Sequence, residues 1–196
     1  MAETESVVTI EPMTAAGLDQ WRGGLIELLI DAVSSGASIG FLDPLSTQEA
    51  ATYWDAVFAQ WQSGERLLFI VRDGERIIGS VQLVLPQLPN AKHRAEVQKL
   101  MVHTSARGRG LGTAILMAVE DEAISRGRHL LILDSRAGDP AGKLYDKLGY
   151  IRAGVIPGYA QSSSGRLHAT AIYYRDLRDH DGAMLGDCDT PTREIR

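Results

Sequence analysis

A glycine-rich turn between a short apolar stretch and an amphipathic helix constrains this chain more than any other feature. Residues 96–102 have the apolar, β-branched content of a short buried strand. One helical face downstream of the turn carries four apolar residues, Ile115, Leu116, Val119 and Ala123. The glycines between them let successive backbone N–H groups approach a ligand at the start of a helix, where the helix dipole favours an anion. The segment therefore predicts a strand–turn–helix unit that binds a nucleotide-like ligand.

Three phosphate-binding motifs compete for this turn. A P-loop requires a lysine after its last glycine, and none follows Gly112. The dinucleotide fingerprint G-x-G-x-x-G is nearly present, although its third glycine comes one residue early, and Asp134 lies about 20 residues on, where a ribose-binding acid would be. The third pattern, R/Q-x-x-G-x-G, is matched without a gap by residues 107–112. Arg107 and Arg109 add positive charge and fork-shaped donors for phosphate oxygens.

Composition predicts an ordinary globular protein. Of the 196 residues, 44% are hydrophobic and 23% are charged, which is near the average for globular domains. This length predicts one domain over residues 1–178, followed by a polar, aperiodic tail at 179–196 that we expect to be mobile. The net charge of −5 argues against general nucleic-acid binding.

Cysteine usage and hydropathy bear on location and metal binding. Because Cys188 is the single cysteine, neither an internal disulfide nor a cysteine-based metal site can form. The five histidines have no metal-binding spacing, so no metal is predicted. The chain has neither an 18-residue apolar run nor a signal-like start. We therefore expect a cytoplasmic protein that does not interact with a membrane.

The remaining hydrophobic patterns predict an α/β chain. The predicted strands are 7–10, 66–71, 77–85, 95–103, 130–133, 150–157 and 168–175. The predicted helices are 14–33, 46–61, the glycine turn to about 126, and 140–148. Ser46 and Glu49 predict a capping box for the second helix, and Asp139-Pro140 an N-cap and a first-turn proline for the fourth. Asp73-Gly74 predicts a hairpin. The strand–helix–strand unit around the turn should have parallel strands and a right-handed crossover.

This element order, with the motifs inside it, resembles the GNAT superfamily of acetyltransferases. The order β-α-α-β-β-β-α-β-α-β-β is similar to that family over nearly all of residues 5–178. The glycine turn resembles the family's acetyl-coenzyme A (acetyl-CoA) loop, and AGKLYDKLGY at 141–150 resembles its second signature. More narrowly, GASIGF, RAEVQKLMV, SARGRGLG and GRLHATAIYY resemble the tabtoxin-resistance acetyltransferase group.

The resemblance implies a fold and a cofactor site. The implied fold is α/β, with a mixed, mostly antiparallel sheet of about seven strands and helices on both faces. Its two parallel central strands, here 95–103 and 130–134, splay apart in a V that receives the pantetheine arm of acetyl-CoA. Main-chain groups of Leu100, Met101 and Val102 would then pair with the pantetheine amides. The loop residues implied to hold the cofactor are Arg107, Gly108, Arg109, Gly110, Leu111, Gly112 and Thr113.

The resemblance also implies acid and base groups. A lysine-like amine of pKa ~10.4 is only about 0.1% deprotonated near neutral pH, so a carboxylate base helps. Glu96, at the family's glutamate spacing, and Asp134, at the end of the next parallel strand, are the two candidates. Their structural alternatives are an ion pair of Glu96 with Lys92 or Arg94 and a turn-capping role for Asp134. Tyr145 matches the family tyrosine that protonates or shields the leaving thiolate and contacts the cofactor; its alternative is a core aromatic.

We therefore expect an N-acetyltransferase that transfers an acetyl group from acetyl-CoA directly to the amine of a small polar molecule, with antibiotic or toxin resistance as one such function. Segments 35–45 and 158–168 are long enough to close the site into a pocket, unless both lie at a homodimer interface. A protein or peptide N-acetyltransferase and a non-catalytic acyl-CoA-binding sensor are the alternatives. A nucleotide-dependent oxidoreductase would need a second βαβ repeat after Asp134, where hairpin strands are predicted instead.

Overall fold

A computed structural model describes residues 8–178 as a mixed seven-stranded sheet with helices on both faces. Its strands are β1 (Val8–Pro12), β2 (Arg66–Asp73), β3 (Arg76–Val84), β4 (Arg94–Val102), β5 (Leu130–Arg136), β6 (Ile151–Gln161) and β7 (Leu167–Asp176). They follow the spatial order β1-β2-β3-β4-β5-β7-β6. The predicted tail at 179–196, with Cys188, lies outside the described residues.

Four α-helices connect the strands near the predicted positions. They are α1 (Ala15–Ser34), α2 (Thr47–Gln62), α3 (Leu111–Ser125) and α4 (Pro140–Lys147). Ser46 and Glu49 form the predicted capping box before α2, with each side chain bonded to the other's backbone N–H. Gly127 and Gly149 follow α3 and α4 with φ of 68° and 81°, the left-handed conformation in which glycine ends a helix.

The predicted N-cap of α4 differs in one respect. Asp139 precedes the helix and Pro140 opens it, as predicted, but the Asp139 side chain makes no capping hydrogen bond. Its carboxylate instead accepts a 2.9 Å hydrogen bond from Nε of Arg136. A charged guanidinium is a stronger partner than a neutral backbone N–H, which explains the exchange.

The two central strands are parallel and splay apart as predicted. Pairing between β4 and β5 is confined to residues 94–96 and 130–132, whereas the other neighbouring strands are antiparallel. Beyond that point β4 continues to Val102 and β5 to Arg136 without pairing to each other. The backbone groups of the second half of β4 therefore face an open gap.

A bulge in β4 accompanies this splay. Ser80 and Gln82 of β3 lie opposite Met101 and Gln98 of β4, so β4 holds one extra residue in this interval. Lys99, within the bulge, has a φ of 51°. A bulge bends its strand and redirects side chains, and here it coincides with the point where β4 leaves β5.

Each face of the sheet carries its own hydrophobic core. On one face α3 and α4 pack through residues such as Leu116, Val119 and Tyr145. On the other face α1 and α2 pack through residues such as Leu25 and Trp54. A fully buried side chain of this kind contributes about 1.5–3 kcal/mol. The two cores fix the sheet, and with it the gap between β4 and β5.

The last hairpin is longer than predicted. The segment 158–168 was expected to be a loop, but β6 continues to Gln161 and β7 begins at Leu167, which leaves 162–166 as the turn. The ladder resumes after a register shift between Ile156 and Ala160. Pro157 lies in that irregular interval of the edge strand, where its missing N–H costs no ladder bond.

Candidate active site

The unpaired end of β4 lines a cleft bordered by the glycine turn. This cavity of about 390 Å³, called the glycine cleft below, is also lined by Ala37 from the loop after α1 and by Ala141 and Leu144 of α4. Most of the predicted cofactor-binding residues line it, namely Leu100, Met101, Val102, Arg107, Gly108, Gly110, Leu111, Gly112 and Thr113. Their roles toward a ligand stay predictions.

The backbone of the turn has the form that an anion cradle requires. Gly108 and Gly110 have φ of 78° and 77°, and a Cβ added to either would meet no protein atom within 4 Å. The turn therefore borders open space. Helix α3 begins at Leu111, and no side chain caps it. Its first N–H groups can thus donate to an anion, with the helix dipole in support.

The two arginines of the turn point in different directions. Arg107 borders the glycine cleft, where its Nη2 donates to the hydroxyl of Ser35 at 2.6 Å and its Nε to the carbonyl oxygen of Val102 at 3.2 Å. Arg109 does not line the cleft, because its Nη1 lies 3.2 Å from a carboxylate oxygen of Asp73. An exposed ion pair contributes only about 0–1 kcal/mol, so Arg109 can still exchange this partner for a phosphate.

A second cavity brings together the three predicted catalytic residues. Glu96, Asp134 and Tyr145 all line this space of about 430 Å³, called the central cavity below. Ala37 and Leu100 line both this cavity and the glycine cleft, so the two adjoin. A ligand in the cleft would therefore have its end next to the acidic and phenolic groups.

Tyr145 is packed between two other tyrosine rings and keeps its proton near neutral pH. Its ring lies 5.4 Å from the ring of Tyr173 and 5.9 Å from that of Tyr150, and only 6% of its surface is exposed. Burial, with a smaller contribution from the negative charge of Asp134, raises the pKa of Tyr145 to about 12. The group is therefore a neutral hydroxyl near pH 7 and can donate a proton. Tyr145 is thus both the predicted core aromatic and a member of the central cavity.

Asp134 lies within a strand and faces the central cavity. The sequence prediction put it at the end of its strand, but β5 continues to Arg136 and Asp134 pairs with Ile172 of β7. A turn-capping role is therefore wrong. Burial, followed by the negative charge of Glu96, raises the pKa of Asp134, and the positive charge of Lys99 partly opposes this. A carboxylate with a raised pKa is a stronger base than an ordinary aspartate.

Glu96 is held by a hydrogen-bond network. The ion pair considered for it, with Lys92 or Arg94, does not occur within residues 8–178. Instead Nε2 of Gln98 donates to Oε1 of Glu96 at 2.8 Å, and Oε1 of Gln98 accepts from Arg66 at 3.1 Å.

The network continues across the sheet to α2. Arg66 also donates to Oε1 of Gln82, which is fully buried, and Nε2 of Gln82 lies 2.8 Å from the hydroxyl of Tyr53. Every member of the network has a hydrogen-bond partner. The network therefore fixes one orientation for the Gln98 amide, which donates to Glu96.

Two charged residues that line the central cavity, Lys99 and Arg136, were missed by the sequence analysis. Residues 37–40 also line it, and they belong to the segment 35–45 that was predicted to close the site. Arg136 donates to Asp139 and, through Nη2, to the carbonyl oxygen of Gly36 at 3.0 Å. Charged residues in otherwise apolar strands were the available signal, but the bulge that redirects Lys99 has no sequence signature.

A third cavity lies outside the central one. This outer cavity, of about 580 Å³, is lined by most of residues 33–43, by residues 160–164, and by Arg136 and His168. It shares Ala37, Ser38, Gly40, Arg136 and Ala160 with the central cavity. The backbone N–H of Asp43 donates to the Ser163 hydroxyl at 2.7 Å, so the two segments contact each other directly.

No cluster of three histidine, cysteine, aspartate or glutamate residues within residues 8–178 could hold a metal ion. No helix in that range has the length and apolar character needed to cross a membrane.

Known proteins share the fold and part of the sequence. An uncharacterized N-acetyltransferase encoded in the hisH-hisA intergenic region of Azospirillum brasilense is 36% identical over 108 residues, which is 54% of this chain and 62% of the relative. The match thus spans less than two thirds of that protein's length.

Solved structures extend the likeness to most of the chain. The Salmonella typhimurium protein yncA, solved with its cofactor acetyl-CoA, has a TM-score of 0.72 at 19% identity, with 93% of this chain and 99% of that chain covered. A ribosomal-protein-alanine N-acetyltransferase from Brucella melitensis has a TM-score of 0.72 at 21% identity, covering 86% and 99%. At such identities the likeness shows the fold alone.

The family is shown by a sequence profile. Residues 37–150, more than half of the chain, match the profile of the acetyltransferase (GNAT) family. This range includes α2, the splayed strands, the glycine turn and α4. The chain therefore belongs to the GNAT acetyltransferase family.

Proposed function

We propose that this protein is an acetyl-CoA-dependent N-acetyltransferase whose acceptor is the amine of a small polar molecule. The observation that carries the proposal is that Glu96, Asp134 and Tyr145 line one cavity and that this cavity adjoins the glycine cleft. The name of the Azospirillum relative and the acetyl-CoA in the Salmonella structure support the same activity.

The glycine cleft has the features that acetyl-CoA requires. The open space beside Gly108 and Gly110 suits a pyrophosphate, which the first N–H groups of α3 and the guanidinium of Arg107 would hold. The unpaired stretch of β4 at Leu100–Val102 offers main-chain groups to the pantetheine amides, as an added strand would use them. When bound, acetyl-CoA supplies a thioester whose acetyl group can be transferred to an amine.

The residues of the central cavity supply the proton transfers. The acceptor must lose a proton to gain a lone pair, and Asp134 is suited to take it because its pKa is raised. Glu96 is a second carboxylate in the same cavity, fixed by Gln98. The neutral hydroxyl of Tyr145 is suited to give a proton to the departing thiolate. In the balanced reaction the amine becomes an amide and coenzyme A leaves as its thiol.

Closure of the site favours a small acceptor over a protein tail. A peptide substrate needs an open groove, whereas the contact between Asp43 and Ser163 joins the segments on either side of the outer cavity. The Brucella protein acts on a ribosomal protein, but its likeness is one of fold alone. The resemblance to the tabtoxin-resistance group points to an antibiotic- or toxin-like amine, and this acceptor class belongs to the proposal.

A coenzyme A release assay tests the proposal. Purified protein with acetyl-CoA is offered a panel of small polar amines beside histone-like and ribosomal peptides, and free thiol is measured. We expect turnover with members of the small-amine panel and a large loss in Asp134→Asn, with Asp19→Asn, an exposed residue on α1, as the matched control. Efficient peptide acetylation without small-amine turnover would contradict the small-molecule assignment, and binding of acetyl-CoA without any turnover would indicate a sensor.

A further inference from the structure

Lys99 has an unusual backbone position in the wall of the central cavity. It lies in the bulge of β4 and, within residues 8–178, is the one non-glycine residue with a positive φ. Bulges beside active sites redirect side chains. Lys99 lines the central cavity together with Glu96 and Asp134. The bulge therefore brings a lysine into the cavity that holds the two predicted catalytic carboxylates.

The amine of Lys99 lies against the loop after α1. A Cβ added to Gly40 would be 3.4 Å from Nζ of Lys99. Gly40 has a φ of 88° and also lines the central cavity. The loop and the bulge together therefore define where this amine lies in the cavity.

Lys99 has no polar partner within the part of the chain that the structure describes. No hydrogen bond involves its Nζ, and no carboxylate lies within the 4.0 Å of an ion pair. Burial lowers the pKa of Lys99, while the negative charges of Asp134 and Glu96 favour the ammonium form. A half-buried ammonium without a partner is costly unless a ligand pairs with it.

Among the other charged groups of the central cavity, Arg136 is paired with Asp139 at 2.9 Å. Glu96 accepts a hydrogen bond from the neutral amide of Gln98, which positions its side chain but does not neutralise its charge. Neither Glu96 nor Asp134 forms an ion pair within residues 8–178. The cavity therefore has one lysine and two carboxylates that do not pair with one another.

We infer that the acceptor carries an anionic group, a carboxylate or phosphonate, beside its amine and that Lys99 binds this anion. The inference rests on the proposed function, since it names the substrate class of the same site. The amine of such a zwitterion would face Asp134 while its anion pairs with Nζ of Lys99. Asp134 and Lys99 would then each have a partner of opposite charge, and the two contacts together would orient the amine.

A purely cationic acceptor satisfies the cavity less well. It would pair with Asp134 but bring a second positive charge next to an ammonium that still lacks a partner. Like charges in a partly desolvated cavity repel each other more strongly than in water. Lys99 would then reduce the affinity for such an acceptor, and its replacement by a neutral residue would increase that affinity. The two alternatives thus predict opposite effects of one substitution.

The test compares matched acceptors in matched variants. The probes are the common α-amino acids, their α-carboxamides, which lack the negative charge, and α-aminophosphonates. The amino acids that the wild-type protein acetylates fastest are selected first. For each of them and its two analogues, kcat/KM is then measured in wild type, Lys99→Met, Lys99→Arg and Lys92→Met. Lys99→Met should reduce the ratio of acid to amide by about 10–100-fold, the effect of losing one charge-assisted contact. Lys99→Arg, which keeps the charge, should retain much of that ratio, and Lys92→Met, which changes an exposed lysine, all of it.

The outcomes separate failure of this inference from failure of the proposed function. Equal use of acids and amides by wild type, or an equal change of both in Lys99→Met, would overturn the anion site and leave the acetyltransferase proposal standing. If none of the small amines supports release of coenzyme A, the proposed function itself is overturned. A preference for phosphonates over carboxylates would support the inference and identify the anion. Thermal unfolding and acetyl-CoA affinity establish that each variant folds, and Lys99→Gln replaces Lys99→Met if that variant does not.

Discussion

The backbone N–H of Asp43 donates a 2.7 Å hydrogen bond to the hydroxyl of Ser163 and so joins the loop after α1 to the β6–β7 turn. These segments are distant in sequence, yet both line the outer cavity, which adjoins the central one. The bond is exposed, so it contributes only about 0.5–1.5 kcal/mol. A bond of this strength favours the closed form of the cavity but is weak enough to break when the cavity opens.

Removing this contact should weaken acceptor binding alone. Ser163→Ala deletes the hydroxyl that accepts from Asp43, and we expect the KM for the acceptor to rise about 2–10-fold. Acetyl-CoA affinity, measured by calorimetry, should not change, because neither residue lines the glycine cleft. Ser125→Ala makes the same truncation at an exposed residue of α3 that does not line the outer cavity, and it serves as the control. An unchanged acceptor KM would mean that the contact plays no part in acceptor binding.

The glycine turn should be sensitive to a single methyl group. Gly110→Ala adds a Cβ where no protein atom lies within 4 Å, which is the space assigned to the pyrophosphate. It also strains a backbone at φ of 77°, so part of any loss is general destabilisation.

Gly127→Ala separates these two effects. Gly127 has a φ of 68° and equally open surroundings, but it lies at the far end of α3 from the cleft. Thermal unfolding should show a similar destabilisation in the two variants, whereas acetyl-CoA affinity should fall in Gly110→Ala only. Equal affinity in both would remove the turn from the cofactor site.

Loss of the Tyr145 hydroxyl should reduce turnover and leave binding intact. Tyr145→Phe keeps the ring that packs against Tyr150 and Tyr173. An acid group of this kind contributes about 10²–10⁴-fold, so we expect kcat to fall by that factor while acetyl-CoA affinity is retained. Tyr173→Phe removes a neighbouring hydroxyl that does not line the central cavity, and its kcat should remain close to wild type. Equal rates in the two variants would exclude Tyr145 as the proton donor.

Much of this fold could be predicted because local signals and family pattern agree. The capping box of Ser46 and Glu49 fixes the start of α2, and Asp73-Gly74 fixes the β2–β3 hairpin. Both features depend on residues close together in sequence. The parallel pair followed from the strand–helix–strand order. Its splay followed from the family resemblance, since residues 94–102 alone do not indicate where pairing with β5 ends.

What could not be predicted depends on contacts between distant residues. A lysine rarely adopts a positive φ, so the bulge at Lys99 has no local signal and arises from the register of β3 against β4. Arg109 of the glycine turn forms an ion pair with Asp73 of β2 in place of lining the glycine cleft, and these two residues are far apart in sequence. The extension of β6 past Pro157 likewise depends on its pairing with β7.

The negative charge of Glu96 should affect the titration of Asp134 in the central cavity. The negative charge of Glu96 is the second cause, after burial, of the raised pKa of Asp134. Glu96→Gln removes that charge and keeps a side chain of the same shape, so the pKa of Asp134 should fall toward its ordinary value of 3.8 without reaching it, because burial remains. Carbon NMR of the aspartate carboxyl groups measures this midpoint directly, with Asp134→Asn to assign the signal and Asp19→Asn as a control that should leave it in place.

The effect of Glu96 on Asp134 also predicts in which direction the pH dependence of the rate should move. A base with a raised pKa is protonated, and so inactive, over a wider range of acidic pH. In wild type kcat/KM, corrected for the fraction of free amine, should therefore fall as pH drops through the pKa of Asp134. In Glu96→Gln that fall should move to lower pH, while Asp134→Asn should lose the titration and most of the rate. If the acid limb stays in place in Glu96→Gln and disappears only when Glu96 is replaced together with Asp134, the two carboxylates act as alternative bases and Asp134 is not the sole proton acceptor.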